Sequence, residues 1–296
     1  MLSDQQKQAL KFFEQSAQDW GRKALGHDAA EVNIIKQRND FVVRVAASRP
    51  SIDSALDVGC GTGDLVCDLG ARGIRAVGVD FAPEMVRISR ERSTKSSLHN
   101  VAFIEASIFD YDWVGGPFDL VSANGFIEYI SLDQLNRFLD LAHRNLSPAG
   151  SIVLGSRNRL FNLVSFNDFT EVELREGTYE ALAREAIAVA GGADIQALAQ
   201  LDTAPWPEQG RVYTRTGVDV ASRYQYTPAQ LVHLLKERGY APSRIGAAHV
   251  HPATPAFKDA HREVHARISE FLQDYAWEDV RLVPHASTFM IQAEKT

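Results

Sequence analysis

Apolar residues fall along the chain in two patterns. Short apolar runs, Ala55 to Val58, Ala76 to Asp80, Val101 to Glu105, Phe118 to Ala123 and Ser151 to Gly155, read as strands buried on both faces. Between them, apolar positions three and four apart read as amphipathic helices. Asp64 to Gly70 is the first of these, and Pro83 opens the next at N1, where its missing N–H forfeits no bond. Ser131 and Gln134 spell a capping box ahead of Leu135, Phe138, Leu139 and Ala142, ending near Ser147-Pro148-Ala149-Gly150. Thr227, Pro228 and Gln230 start another helix that Gly239 stops. Residues Arg244 to His251 and Ser287 to Ala293 supply two last strands. This alternation predicts an α/β fold with a doubly wound sheet.

Ahead of the first strand, Leu10, Phe13, Ala17 and Trp20, and then Ile35, Val42 and Val45, repeat at helical spacing. They predict an N-terminal helical cap over residues 1–50, with the main domain over 51–296. Two stretches exceed what loops need. Residues 157–226, helical in pattern at Tyr179 to Val189, read as a lid, and residues 252–279 as a second helical insertion. Insertions leaving the carboxyl ends of strands overhang the ligand crevice, so both are expected to choose the substrate.

The candidate chemistry starts at Ala55 to Leu65, ALDVGCGTGDL. Gly59, Gly61 and Gly63 leave bare main chain on which a flat ligand can lie. A dinucleotide fingerprint, G-x-G-x-x-G, would need glycine where Asp64 stands. Asp80 lies 19 positions beyond Gly61, where an open α/β sheet places the carboxylate that grips ribose hydroxyls, and Phe81 follows it.

On these residues, over roughly Ser54 to Gly155, the chain resembles the class I S-adenosylmethionine-dependent methyltransferases. The resemblance implies a seven-stranded, mostly parallel sheet with an antiparallel last strand, and S-adenosylmethionine as cofactor. It implies that Asp57, Gly59, Cys60 and Gly61 shape the methionine end and that Asp80 holds the ribose. Phe81 and Ile108 would flank adenine, with Met85 and Ser107 beside them, and Asn124 would present main chain to the sulfonium. Arg38 resembles the arginine that holds the methionine carboxylate in ubiquinone-pathway O-methyltransferases. The family's fourth motif often ends in Glu-His; this chain has Glu128 and then Tyr129, a phenol that titrates at about 10 and serves to orient a substrate or to pack.

Composition narrows the acceptor. With 31 basic against 38 acidic side chains, a net charge of −7 and no run of Lys or Arg, nucleic-acid binding is disfavoured. Cys60 and Cys67 make neither a disulfide framework nor a zinc motif, which suits a cytoplasmic setting. No leader and no spanning apolar window are legible. In this acidic chain Arg157, Arg159, Arg211, Tyr213, Arg215, Arg223, Tyr224 and Tyr226 concentrate guanidinium and phenol. Arg157, Arg159, Tyr213, Arg215 and Tyr226 are therefore candidates to bind an anionic substrate, the alternative being pairing with Glu171, Glu173 or Glu176. His249 and His251 alternate onto one strand face whose end opens toward the crevice, and His261 and His265 lie four apart on a helix. His251 is a candidate proton acceptor. No metal site is assigned, because these spacings match no established ligand motif. Leu160 to Phe169 resembles in position a membrane-touching segment of the ubiquinone-pathway enzymes, so it reads as a weak interfacial contact or as lid core. The expectation is a methyltransferase for a small molecule, with O-methylation favoured. An NAD-linked oxidoreductase and a non-catalytic cofactor-binding partner protein stand as rivals.

Overall fold

The computed structural model describes residues 4–25, 31–49, 51–206 and 224–296. Two helices, α1 (Asp4–Leu25) and α2 (Ile34–Ala47), precede strand β1 (Ser54–Val58). Then follow α3 (Asp64–Gly70), β2 (Arg75–Asp80), α4 (Pro83–Lys95), β3 (Val101–Glu105), β4 (Phe118–Asn124), α5 (Leu132–Asn145) and β5 (Leu146–Arg157). The stretch after β5 carries α6 (Asn162–Ser165), α7 (Asp168–Arg175), α8 (Tyr179–Ala190) and α9 (Ile195–Leu198). After it come α10 (Pro228–Glu237), β6 (Tyr240–Val250), α11 (Pro255–Ala260), α12 (Arg262–Ala276) and β7 (Ala286–Lys295).

The seven strands form one sheet in the order β3-β2-β1-β4-β5-β7-β6, in which β7 runs antiparallel to both of its neighbours. Period-2 alternation sends Leu56, Val121 and Ile152 to one face, against Leu135, Phe138 and Leu139 of α5 and Leu231 and Leu235 of α10. It sends Ala55, Leu120, Val153 and Met290 to the other, against Phe41, Val42 and Val45 of α2 and Leu65 and Val66 of α3. Both faces are covered, which is why these strands read as continuous apolar runs.

The local start signals act as written. Ser131 and Thr227 each form a capping box with the glutamine three residues on, and Pro83 and Pro228 stand in the first turns of α4 and α10. Strand ends differ from expectation. Leu146 to Gly150, read as a helix end and turn, belongs to β5, which still bends there with Ala149 at φ 58°. β6 begins earlier, at Tyr240, and closes before His251. Polar strand ends escape a pattern drawn from apolar runs. Leu160, Phe161 and Leu163 are buried, and of the apolar residues only Phe166 is strongly exposed, so most of the apolar surface of Leu160 to Phe169 is interior packing. No helix among the described residues is long and apolar enough to cross a membrane.

Candidate active site

The strand order reverses between β1 and β4, and the cavity opens at the carboxyl ends of the strands beside that point. Its volume is about 210 Å³, and it is floored by Asp57 to Thr62, walled by Asp80, Phe81 and Asn124, and roofed by Ala9 and Phe13 of α1.

The glycine loop is tied to the next strand through a carboxylate. Asp80 Oδ2 accepts the Gly61 N–H at 2.9 Å, and its Oδ1 accepts the Ala82 N–H at 2.9 Å. Burial raises the Asp80 pKa against these hydrogen bonds. A carboxylate accepts about four hydrogen bonds, so capacity remains on the cavity side. A Cβ on Gly61 would meet nothing, whereas one on Gly63 would lie 2.6 Å from the Phe103 ring. The first glycine therefore keeps main chain bare toward the cavity, and the second lets α3 pack tightly on the sheet.

Asp57, at the end of β1, receives the Ser122 hydroxyl. Burial, opposed by that bond and reinforced by Asp80 and Asp64, pushes its pKa up to about 7. Across the cavity, Arg38 of α2 lies so close to Gly125 that a Cβ there would fall 2.5 Å from its Nη1. Arg38 is 4.0 Å from Glu128, and Arg157 Nε donates to the same carboxylate at 3.1 Å. Glu128 is 3% exposed, so one buried acid holds two arginines at the cavity wall. Asn124 Nδ2 donates to Asn39 Oδ1 at 3.3 Å.

The structure gathers Arg38, Asp57, Gly59, Cys60, Gly61, Asp80, Phe81, Met85, Ser107, Ile108 and Asn124 along this one cavity, together with Tyr129 and Arg157. Tyr129 stands edge-on to Phe13 of the roof, ring centroids 5.2 Å apart.

Other candidates lie elsewhere. Arg159 is buried away from the cavity, where Nε and Nη2 form a fork with Glu173 at 2.9 and 2.8 Å and Nη1 donates to the Pro205 carbonyl. It braces the stretch after β5, in the pairing with Glu173 that the alternative named. Tyr226 is fully buried in the core beside Tyr224 and Trp206, which removes it from substrate contact. His251 is also outside the cavity lining. Its ring packs on Phe161 and His249, and burial, with His265 and Lys258 nearby, lowers its pKa to about 3, so it accepts protons weakly at neutral pH. Tyr213 and Arg215, like Arg211 and Arg223, lie outside the described residues. Three cavity features escaped sequence reasoning: the Glu128 clamp, the space that Gly125 leaves for Arg38, and the Asn39 bond. Each joins segments distant in sequence.

The residues fit a sulfonium nucleoside. Arg38 Nε and Asn124 Oδ1 are buried with no partner in the protein, which leaves a donor and an acceptor for a ligand. Arg38 suits the carboxylate of an amino-acid end, Asp57 its ammonium, Asp80 ribose hydroxyls, and Phe81 with Ile108 a flat base.

Comparison with known proteins agrees with this geometry. Residues 55–150 match the model of a methyltransferase domain. The protein-lysine N-methyltransferase EFM4 of Saccharomyces cerevisiae is 29% identical over 172 residues, 56% of this chain and 72% of that protein. The mitochondrial ubiquinone biosynthesis O-methyltransferase of Mus musculus is 27% identical over 164 residues, covering 51% of this chain and 43% of its own length. Magnesium protoporphyrin IX methyltransferase of Synechocystis, solved with bound SAH, superposes over 99% of this chain and 100% of that one with a TM-score of 0.58 at 13% identity. The loop, the acid of β2 and the strand order agree with that match: residues 55–150 of this chain form a methyltransferase domain, and the fold is that of the class I S-adenosylmethionine-dependent methyltransferases.

Proposed function

We propose that the chain methylates an oxygen of a small, anionic molecule. The observation that carries this reading is the contribution of α1: its Ala9 and Phe13 line the cavity, with Phe13 against Tyr129, and this narrowing suits a detached acceptor better than a side chain on a folded protein. The cofactor, when bound, supplies an activated methyl on sulfur, so the chemistry resides there and the protein holds the acceptor and excludes water. Arg157, beside Glu128 on the wall, is the cation for an acceptor carboxylate or phosphate, and Tyr129 orients it through the phenol. No histidine lines the cavity among the described residues, and Glu128 is held by two arginines. An acceptor already ionised at neutral pH, such as a carboxylate or an acidic phenol, therefore suits this site.

The yeast relative, named as a protein-lysine N-methyltransferase, supports a second reading in which the acceptor is a protein amine. Labelled S-adenosylmethionine separates the two. Incubation with a small-molecule extract is expected to yield a labelled, acid-derived product, whereas label in the protein fraction alone overturns the small-molecule reading. With the product in hand, Arg157→Gln is expected to raise the acceptor KM about tenfold with kcat little changed. An unchanged KM removes Arg157 from substrate binding.

The raised pKa of Asp57 gives a signed pH dependence. An ammonium beside this carboxylate favours its ionised form, so binding must release the proton wherever the free group holds it. S-adenosylhomocysteine affinity is expected to rise by up to about tenfold per pH unit as pH approaches about 7 from below, and to level off above. Titration calorimetry across that range checks it, and Asp57→Asn is expected to flatten the slope.

A further inference from the structure

The end of β6 and the helix α12 bring three imidazoles to one point. His249 Nε2 and His265 Nε2 are 3.0 Å apart, and the His251 ring centroid lies 4.2 Å from that of His249 and 4.7 Å from that of His265. One ring nitrogen from each lies within 4.8 Å of the others. His251 and His265 are 6% and 1% exposed, yet both nitrogens of His251 and Nδ1 of His265 have no partner. Unpartnered buried nitrogens are unfavourable, and His251 has no partner for either of its own. His249 also sits at φ 55°, a conformation that a non-glycine residue keeps only when its surroundings hold it there. The Gln37 side chain does so by accepting the His249 N–H at 2.8 Å.

We infer that His249, His251 and His265 form a binding site for one divalent transition-metal ion, with zinc the ion that fits best. Neutral imidazoles suit zinc, and tetrahedral zinc holds nitrogens at about 2.0–2.1 Å, hence about 3.3 Å from one another, close to the spacing of the two Nε2 atoms. Ser287 Oγ lies 3.2 Å from His249 Nδ1 and supplies the outer hydrogen bond that fixes the ring and turns the Nε2 lone pair inward. The flanking charges are Lys258, Arg157 and Asp259. All three ligands are neutral, so the ion keeps its charge and its fourth position suits water or an anion. The ion joins β6 to α12 and so pins the second insertion to the sheet. The site is separate from the cavity lining, and its existence does not depend on the methyl-transfer reading.

The test uses the tag-free full chain, stripped with a chelator and titrated with zinc chloride. One equivalent per chain is expected to bind and to raise Tm by about 5 °C. Cobalt(II) is expected to give the visible bands of a tetrahedral site. His251→Gln and His265→Gln are each expected to weaken zinc binding at least about 100-fold, while a change at the distant His99 leaves it intact. Failure of the stripped wild type to take up zinc, absence of the cobalt bands, or uptake by both variants equal to wild type overturns the site. Should a variant fail to fold, the wild-type titration and cobalt spectrum decide alone.

Discussion

Asp80→Ala is expected to weaken S-adenosylhomocysteine binding by at least about 100-fold in titration calorimetry. Two losses combine. The carboxylate accepts the Gly61 and Ala82 N–H groups, so without it the bare turn of the loop loses its tie to β2. In the proposed cofactor site the same oxygens would accept the ribose hydroxyls, and each hydrogen bond to a charged group contributes about 1.5–3 kcal/mol. Asp80→Asn keeps the size and one acceptor but turns an amide toward one of those N–H donors. It is therefore expected to fall between wild type and Asp80→Ala. Affinity within threefold of wild type for Asp80→Ala would show that this acid only braces the loop.

Arg159→Ala is expected to be the most destabilising single change in the stretch between β5 and α10, by about 3–5 kcal/mol in urea unfolding. It strands the buried Glu173 carboxylate with Asn162 and Thr178 as its remaining donors. Burial alone would raise the Glu173 pKa; hydrogen bonds and charge from Arg159, with Thr178 and Asn162, outweigh that and hold it below its ordinary value of 4.5. A depressed carboxylate stabilises the fold above the unfolded value and loses that contribution as pH falls through the folded one. The gap between wild type and variant is thus expected to narrow below about pH 4.5. Replacing both partners by apolar residues, Arg159→Met with Glu173→Leu, is expected to recover most of the loss, because no charge is then buried alone.

What was legible in the sequence was the chemistry that acts locally. Gly59, Gly61 and Gly63 announce a turn with φ between 52° and 77°, which residues with a side chain rarely adopt, and Asp80 stands at the spacing that one βαβ unit imposes. Ser131 with Gln134, and Thr227 with Gln230, name the first turns of their helices because caps are made three residues away. The unread part depends on which distant segments meet. Arg157 and Arg159 are two positions apart and look alike in sequence, yet Arg157 at the end of β5 lines the cavity and Arg159, in the turn beyond it, pairs with Glu173. Glu128 could be noted as an acid after β4, but nothing in its neighbours says that α2 brings Arg38 to it. The histidines were visible as pairs with no ligand spacing. Their convergence follows from α12 folding back on β6, and it takes His251 away from the reaction.

The position of β7 sets an order of assembly. It follows the other six strands in sequence, yet it lies between β5 and β6, pairing with both. While the chain leaves the ribosome, β3, β2, β1, β4 and β5 can zip together by neighbouring crossovers. β6 meanwhile waits with no strand beside it until the final stretch arrives. During that interval two strand edges stand open to wrong partners, so nascent chains halted before residue 286 should be the species that chaperones retain and that aggregates.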